Sequence, residues 1–164
     1  MIKFIGDGGH AKVVRDILRY RPRVMNEEGW IVAVGDNANR KAEAEACAGP
    51  FINAISIRAI VSSSAIYGEG TVICEGAIVQ AGVKIGRHVI INAGAVITHD
   101  CVIEDFAHIA PGAHLCGNVH VGEGALVGVG VGVAPGARIP AWSICKAARL
   151  DIEQQHSLRS YQNI

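Results

Sequence analysis

A six-residue repeat runs without a break from Val61 to Ile144 and constrains this chain more than any other feature. It contains fourteen hexads, and the first residue is Val, Ile or Leu in thirteen of them, Tyr67 being the exception. The fifth residue is always Ala, Thr, Val, Cys or Ser. Such a period predicts one short strand and one turn per hexad, three hexads per triangular coil, and residues three hexads apart stacked in neighbouring coils.

The composition agrees with a narrow aliphatic prism. Half of the residues are apolar but only 5% are aromatic, and there are 20 glycines, which suit tight turns. Lys+Arg and Asp+Glu both number 15, so no basic field favours nucleic acid. The longest stretch without a charged residue, Phe106–Gly122, is shorter than the ~20 residues of a membrane-spanning helix. Five cysteines without a CxxC pair favour a reduced, cytoplasmic setting.

The residues before the repeat predict a small α/β segment. Residues 2–5 (IKFI) predict a strand, and a glycine-rich turn, Gly6-Asp7-Gly8-Gly9-His10-Ala11, leads into a helix near Lys12–Arg21. A second strand is predicted over Trp30–Gly35, and a second helix over Asn37–Ala48. A glycine turn before a helix can cradle phosphate, but it is also an ordinary tight turn in a small cap. A dehydrogenase is disfavoured, because no strand ends in an acidic residue about 20 positions later.

Together these motifs resemble those of a known family. The set comprises the Gly8-Gly9-His10 turn, Gly35-Asp36-Asn37 with Arg40, and the hexads that open with Ile60-Val61. It is similar to the hexapeptide-repeat acyltransferases that N-acetylate nucleotide sugars or O-acetylate sialic acid, over about residues 1–139. The resemblance implies a mainly β fold, a left-handed parallel β-helix. It also implies homotrimers, with acetyl-CoA as co-substrate between neighbouring prisms.

The same resemblance divides the chain into three parts. Residues 1–55 correspond to a truncated, Rossmann-like α/β domain that binds the nucleotide sugar, and residues 56–144 to the acyltransferase β-helix. The pattern of residues 145–164 predicts a C-terminal amphipathic helix that caps the prism. Compared with the family, the segment 20–29 is short, and about one coil is missing after Ile139. These departures leave open a non-catalytic member that binds a nucleotide or a partner.

The family's functional residues match positions in both halves of this chain. The segment from Asn92 to Cys101 implies that His99 is the general base, with Asp100 as its acidic companion. A neutral imidazole suits that role, since it can take the proton of an attacking amine near pH 7. Gly117 lies three hexads after His99 and matches the oxyanion-hole glycine. The resemblance assigns His108 and Val129 to acetyl-CoA, and the nucleotide-sugar substrate to Gly8, Gly9, His10, Asp36 and Asn92.

Several other readings of these residues are weaker. His108, His114 and His120 share the sixth hexad position and are expected near three different corners, so no metal site is predicted within one chain. A nucleophilic cysteine is disfavoured, because the position of Cys101 predicts a buried thiol. An acyltransferase for another small acceptor, such as an amino acid, stays open. Neither a nucleic acid nor a membrane is expected as a partner.

Overall fold

The structure is a computed structural model that describes residues 2–20 and 28–146. Most of that part is a β-solenoid of two-residue strands that recur once per hexad, as the repeat predicts. They are β3 (Ala54–Ile55), β4 (Ile60–Val61), β5 (Ile66–Tyr67), β6 (Val72–Ile73), β7 (Ile78–Val79), β8 (Lys84–Ile85), β9 (Ile90–Ile91), β10 (Val96–Ile97), β11 (Val102–Ile103), β12 (His108–Ile109), β13 (His114–Leu115), β14 (His120–Val121), β15 (Leu126–Val127), β16 (Gly132–Val133), β17 (Arg138–Ile139) and β18 (Ile144–Cys145).

Every third strand joins the same parallel sheet, so the solenoid has three faces. The first face contains β3, β6, β9, β12, β15 and β18. The second face contains β4, β7, β10, β13 and β16, and the third contains β5, β8, β11, β14 and β17. Partners in each ladder are separated by three hexads, as Ile97 and Leu115 are. The stacking predicted from the period is therefore confirmed.

The second residue of each strand points inward and the first points outward. Inward residues such as Ile97 and Leu115 are fully buried, and so are small fifth-position residues such as Ala95 and Cys101. At every corner from Gly70 to Trp142 the fourth hexad residue adopts a left-handed backbone conformation. Glycine fills most of these positions, while Asp100, at φ 59°, is one of the residues with a side chain there. The solenoid also begins one hexad earlier than predicted, because Ala54–Ile55 already pairs with β6.

The segment before the solenoid has two strands and two helices. Strand β1 (Ile2–Ile5) pairs in parallel with β2 (Gly29–Val32), with helix α1 (Gly9–Arg19) between them and α2 (Asn37–Glu45) after them. The predicted start of α1 at Lys12 is wrong, because the chain turns helical at Gly9 with Gly8 as its N-cap. The strand and helix predicted to reach Gly35 and Ala48 end earlier. The helix predicted for residues 145–164 lies almost wholly outside the described residues.

The described residues of this N-terminal segment (2–20 and 28–53) pack on one side of the solenoid. Ala11, Val14 and Ile17 of α1 share a buried cluster with Val72 and Ile90 of the first face. Helix α2 lies at the corner between the third and first faces, where Ala44 contributes to a smaller cluster with Phe106. The glycine turn and the Asp36 loop are therefore held beside the first face.

Candidate functional site

His99 and Asp100 form a hydrogen-bonded pair at the corner between the second and third faces. His99 Nδ1 lies 2.8 Å from Asp100 Oδ2, and both side chains are 59% exposed. The corner turn that carries the pair is anchored to the next coil, because the His99 carbonyl accepts a hydrogen bond from Asn118 N. With Nδ1 directed at the carboxylate, Nε2 is the imidazole nitrogen left to exchange a proton with a substrate.

Two glycines make room for this pair. A Cβ atom at Gly117 would lie 2.6 Å from His99 Cε1 and 2.7 Å from Nε2, so the ring rests on the Gly117 backbone. One coil on the other side, a Cβ at Gly82 would lie 2.5 Å from Asp100 Oδ1. Each glycine is exactly one coil away from the side chain that it faces. The predicted stacking of Gly117 on His99 is what the structure shows, whereas its oxyanion role remains a prediction.

A second group of predicted residues surrounds His108 on the first face. Asn92 Nδ2 lies 3.1 Å from His108 Nε2, and Asn92 Oδ1 accepts a bond from Ala93 N. That second bond fixes the amide orientation, so Asn92 donates to His108 and the Nε2 atom is unprotonated. The proton of the neutral His108 ring then lies on Nδ1, on the side of the Gly35 backbone. The hydrogen bond with this backbone raises the pKa of His108 and so opposes the effect of burial.

His10 and His108 are neutral imidazoles in a partly buried cleft. Burial lowers the pKa of His10 to about 4, and the Arg40 charge acts in the same direction. Burial also lowers the pKa of His108 to about 4, helped by Arg40 and His10. The buried Nε2 atom of His10 has no hydrogen-bond partner among the described residues. Both rings therefore offer neutral hydrogen-bonding groups at pH 7 rather than charge.

The glycine turn presents an open helix N-terminus. Gly8 caps α1 without a side-chain hydrogen bond, and the first turn of α1 carries no acidic residue. Nothing lies within 4 Å of a Cβ built at Gly8 or at Gly9. Asp36, in contrast, caps α2, because its Oδ1 atom accepts a 2.8 Å bond from Asn39 N. The free N–H groups of α1 suit an anion, whereas Asp36 is at least partly structural.

A cavity beside His108 lies between the N-terminal segment and the prism. Its volume is about 210 Å³, and its lining includes Asp36 and Asn37 of the α2 start, His108 and Leu126 of the first face, and Trp142. Trp142 is 46% exposed and lies over Gly124, where an added Cβ would meet the indole ring at 2.4 Å. The structure thus brings Asp36 and His108 to one cavity, although the family resemblance assigned Asp36 to the nucleotide sugar and His108 to acetyl-CoA.

Within one chain, His99 lies far around the prism from this second group. The corner between the second and third faces is opposite the first face, and the packed core lies between them. Val129 is 67% exposed in the turn that follows β15, at the corner between the first and second faces. The predicted site residues therefore occupy three places around a single prism.

The histidines at the sixth hexad position are on faces rather than near corners. His108, His114 and His120 begin β12, β13 and β14, so each points outward from a different face. That placement corrects the prediction, which put them beside the turns. Within residues 2–20 and 28–146, no group of three or more His, Cys, Asp or Glu side chains is arranged to hold a metal ion.

The two cysteines with a shifted pKa, Cys74 and Cys101, are not activated thiols. Burial raises the pKa of Cys74 to about 12 and that of Cys101 above its usual value. All five cysteines are free. Among the described residues no helix has the length and apolarity needed to cross a bilayer.

Sequence reasoning missed two residues that shape the site. Gly82 could have been found, since it precedes Asp100 by three hexads in the same way that Gly117 follows His99. Arg40 was noticed as part of a motif but assigned no role. It is fully buried and contacts both the N-terminal segment and the solenoid, and no periodic pattern signals such contacts.

Comparison with known proteins places this geometry in a family. The sequence matches no protein-family model and no curated protein. Among solved structures, PerB from Caulobacter crescentus, in complex with CoA and GDP-perosamine, is 35% identical. That match covers 87% of this chain and 84% of PerB, with a TM-score of 0.79. The chain belongs to the hexapeptide-repeat N-acetyltransferases of nucleotide sugars.

Two further structures agree with this family. The acetyltransferase domain of PglB from Neisseria gonorrhoeae, in complex with acetyl coenzyme A, is 29% identical with a TM-score of 0.78. It covers 90% of both chains. WeeI from Acinetobacter baumannii is 18% identical, covers 88% of this chain and 95% of its own, and has a TM-score of 0.57, which supports the fold alone.

Proposed function

We propose that the protein transfers the acetyl group of acetyl-CoA to the amino group of a nucleotide-linked sugar, with His99 as general base. The observation that carries the proposal is the His99–Asp100 pair resting on Gly117, in a chain 35% identical to an enzyme crystallised with CoA and GDP-perosamine. Bacterial surface-glycan biosynthesis is the setting that the family implies. A hydroxyl acceptor is the less favoured form of the same reaction.

The proposed chemistry uses the atoms that the pair leaves available. The sugar amine attacks the thioester carbonyl carbon, and His99 Nε2 accepts the proton that the nitrogen loses. The Asp100 carboxylate holds Nδ1–H and stabilises the imidazolium. A backbone N–H at Gly117 is the candidate donor to the oxyanion. Cleavage of the C–S bond then releases CoA, and the imidazolium returns its proton to the leaving thiolate.

The nucleotide sugar is proposed to bind at the N-terminal segment. The uncapped start of α1 offers backbone N–H groups to a diphosphate, with Gly8 and Gly9 leaving space for it. His10, Asp36 and Asn92 are the proposed contacts to the rest of the substrate. His108 and Val129 are proposed contacts of acetyl-CoA, and His108 is hydrogen-bonded to Asn92, a proposed contact of the nucleotide sugar.

A homotrimer completes this proposed site. His99 and the N-terminal segment lie on opposite sides of one prism, so a reaction that uses both requires residues of two chains. Three left-handed prisms, each with its N-terminal segment turned toward the His99 corner of a neighbour, meet this requirement. In this division residues 1–55 bind the nucleotide sugar, 56–144 form the acyltransferase domain and 145–164 a C-terminal helical tail. The proposed location is the cytoplasm.

The test measures CoA thiol release with a panel of UDP-, GDP- and dTDP-linked amino sugars. We expect wild type and the exposed-histidine control His114→Ala to turn over at least one acceptor. His99→Ala should lose about 10²–10⁴-fold in kcat. Release that His99→Ala leaves unchanged would remove the proposed mechanism. No CoA release with any nucleotide amino sugar would favour the non-catalytic alternative, whereas release only with amino acids, assayed in parallel, would favour a different acceptor.

Mixed trimers test the shared site separately. His99→Ala and His108→Ala proteins, each impaired alone, are unfolded, combined and refolded together. If one site takes His99 from one chain and His108 from its neighbour, some sites in mixed trimers are intact and activity is partly restored. A mixture no more active than its parents, or a wild-type solution mass near 17 kDa, would contradict the trimer proposal.

A further inference from the structure

We propose that Arg40, together with Asn37, is a positioning residue that fixes the Gly35–Asp36 loop against His108 and thereby sets the affinity for the nucleotide sugar. The proposal deepens the proposed function and rests on it for its kinetic consequence. Its structural part, the docking of α2 on the prism, stands on contacts that do not depend on the substrate.

Arg40 is a fully buried arginine whose hydrogen bonds go to carbonyl oxygens and one amide. Toward the N-terminal segment, Nη1 donates to the carbonyls of Val34 and Gly35, both at 3.1 Å. Toward the solenoid, Nε donates to the His88 carbonyl at 2.8 Å and Nη2 to the Phe106 carbonyl at 2.6 Å. The planar guanidinium thus bridges the loop that precedes α2 and two coils of the prism.

Asn37 extends the same contact to a third coil. Its Oδ1 atom accepts a 2.8 Å bond from Arg40 Nη2, while its Nδ2 atom donates to the carbonyls of Gly124 and Ala125 at 2.9 and 3.3 Å. The acceptors at His88, Phe106 and Gly124 occupy the same corner position, one in each successive coil. Asn37 and Arg40, in the first turn of α2, therefore fix both the position of the helix along the solenoid axis and its rotation about its own axis.

The carbonyls of His88, Phe106 and Gly124 need a side-chain donor, because within residues 28–146 no backbone N–H of a neighbouring coil donates to them. At the corners, the left-handed residue donates its own N–H to the preceding coil, as His88 N does to the Glu69 carbonyl and Phe106 N to the Arg87 carbonyl. The carbonyl that accepts each of these corner bonds belongs to the residue before the left-handed residue, as Arg87 precedes His88, so the carbonyl of the left-handed residue itself stays without a backbone donor in the described coils. At an exposed corner water can satisfy the remaining carbonyl, but beneath α2 it is buried, and leaving it unpaired costs about 1–3 kcal/mol.

The position of this contact links it to the substrate cleft. Gly35 accepts from Arg40 and lies beside His108, and the next residue, Asp36, lines the same cavity as His108. Burial lowers the pKa of Arg40 to about 10, so it stays charged, and its charge acts on both His10 and His108. Arg40 from α2 and His10 from α1 are the charged or titratable groups that shift the pKa of His108.

The test compares Arg40→Met, which keeps the length but has no donors, with Arg40→Lys, which keeps the charge on a single nitrogen. Arg87→Met is the matched control, because Arg87 is at the same corner but is 57% exposed and pairs with Asp105 on the surface. The measurements are KM for the nucleotide sugar, KM for acetyl-CoA, kcat, and the His108 pKa by histidine-ring NMR.

We expect Arg40→Met to raise the nucleotide-sugar KM at least about tenfold, because a displacement near ~1 Å suffices for such losses. The acetyl-CoA KM should rise less than the nucleotide-sugar KM, because His108, a proposed acetyl-CoA contact, keeps its strand pairing and its bond to Asn92. Without the Arg40 charge the pKa of His108 should rise toward its ordinary value. Arg40→Lys should lie between wild type and Arg40→Met in KM and leave the His108 pKa nearer to wild type. Arg87→Met should match wild type throughout.

The positioning role would be overturned if Arg40→Met raised the KM for the nucleotide sugar and the KM for acetyl-CoA equally. It would also be overturned if neither KM changed and only the melting temperature fell. A His108 pKa that is the same in wild type and Arg40→Met would overturn it as well. If Arg40→Met fails to fold, Asn37→Ala replaces it, because it removes the Gly124 and Ala125 bonds and the amide acceptor of Arg40 Nη2 but leaves the bonds of Arg40 to backbone carbonyls. An unchanged nucleotide-sugar KM in that variant would then refute the proposal. Absence of turnover in wild type would refute the proposed function, while the NMR comparison would still decide the docking of Arg40.

Discussion

Replacing Gly117 with alanine is expected to slow acetyl transfer about a hundredfold while the prism stays folded. Gly117 is not among the residues with positive φ, so the backbone accepts alanine there. The added Cβ would lie 2.6 Å from His99 Cε1, whereas ordinary contacts begin near 3.4 Å. The imidazole must therefore retreat by about 0.8 Å, and a misplacement on that scale costs about 10²-fold in rate.

The assay is steady-state CoA release with the best nucleotide sugar found for wild type. Gly132→Ala is the matched control, since Gly132 is another solenoid glycine of ordinary φ with nothing within 4 Å of an added Cβ. We expect Gly132→Ala to match wild type, and both variants to keep a melting temperature within a few degrees of it. Because the His99 ring is exposed, it can shift away from the added Cβ without disturbing the core, so the change falls on kcat more than on stability.

A Gly117→Ala variant with the kcat of wild type would refute the reasoning. It would mean either that the His99 ring is not placed by the Gly117 backbone or that the position of this ring does not limit the reaction. Loss of activity with an equal loss in Gly132→Ala would point instead to a general effect of the added methyl groups on the coil.

Two further predictions concern stability. The folded-state pKa values of His10, His88 and His108, lowered to about 4 mainly by burial, lie below the ordinary 6.5, so the unfolded chain binds more protons between these pH values. The free energy of unfolding should therefore fall as the pH drops from 6.5 to 4, by up to about 1.4 kcal/mol per pH unit for each histidine, and the melting temperature should fall with it. His88→Gln should reduce that slope. Leu115→Ala, in the fully buried core, should lower the unfolding free energy by about 2–5 kcal/mol in urea titrations, whereas Ile60→Ala, at 66% exposure, should change it by less than about 0.5. A flat pH profile or equal losses in these two variants would contradict the burial described.

The repeat was sufficient to predict the solenoid and its register, because a fixed period of three hexads per coil leaves one way to stack the strands. Its start was placed late, since the regular hexads were counted from Val61 and Ala54–Ile55, now the first strand of the solenoid, was assigned to the N-terminal domain. The start of α1 was also missed, because Gly8 and Gly9 have low helix propensity and act here as the helix entry. Tertiary contacts, which local propensity does not contain, decide such boundaries.

The same distinction applies to the site. The stacking of His99 on Gly117 follows from the period alone, whereas the hydrogen bond between Asn92 and His108 depends on side-chain directions between neighbouring coils of the first face. The contacts of Arg40 join residues up to 67 positions apart between a helix and the coils beneath it. No repeat relates these partners, so the sequence contains no local signal for them.

The mass of the sugar product is the most direct test of the central claim. Wild-type protein, incubated with acetyl-CoA and the panel of nucleotide amino sugars, should yield a product that carries one added acetyl group on nitrogen, and His99→Ala should yield almost none in the same time. Acceptors that all remain unmodified with wild type, or acetylation by His99→Ala at the wild-type rate, would contradict the account.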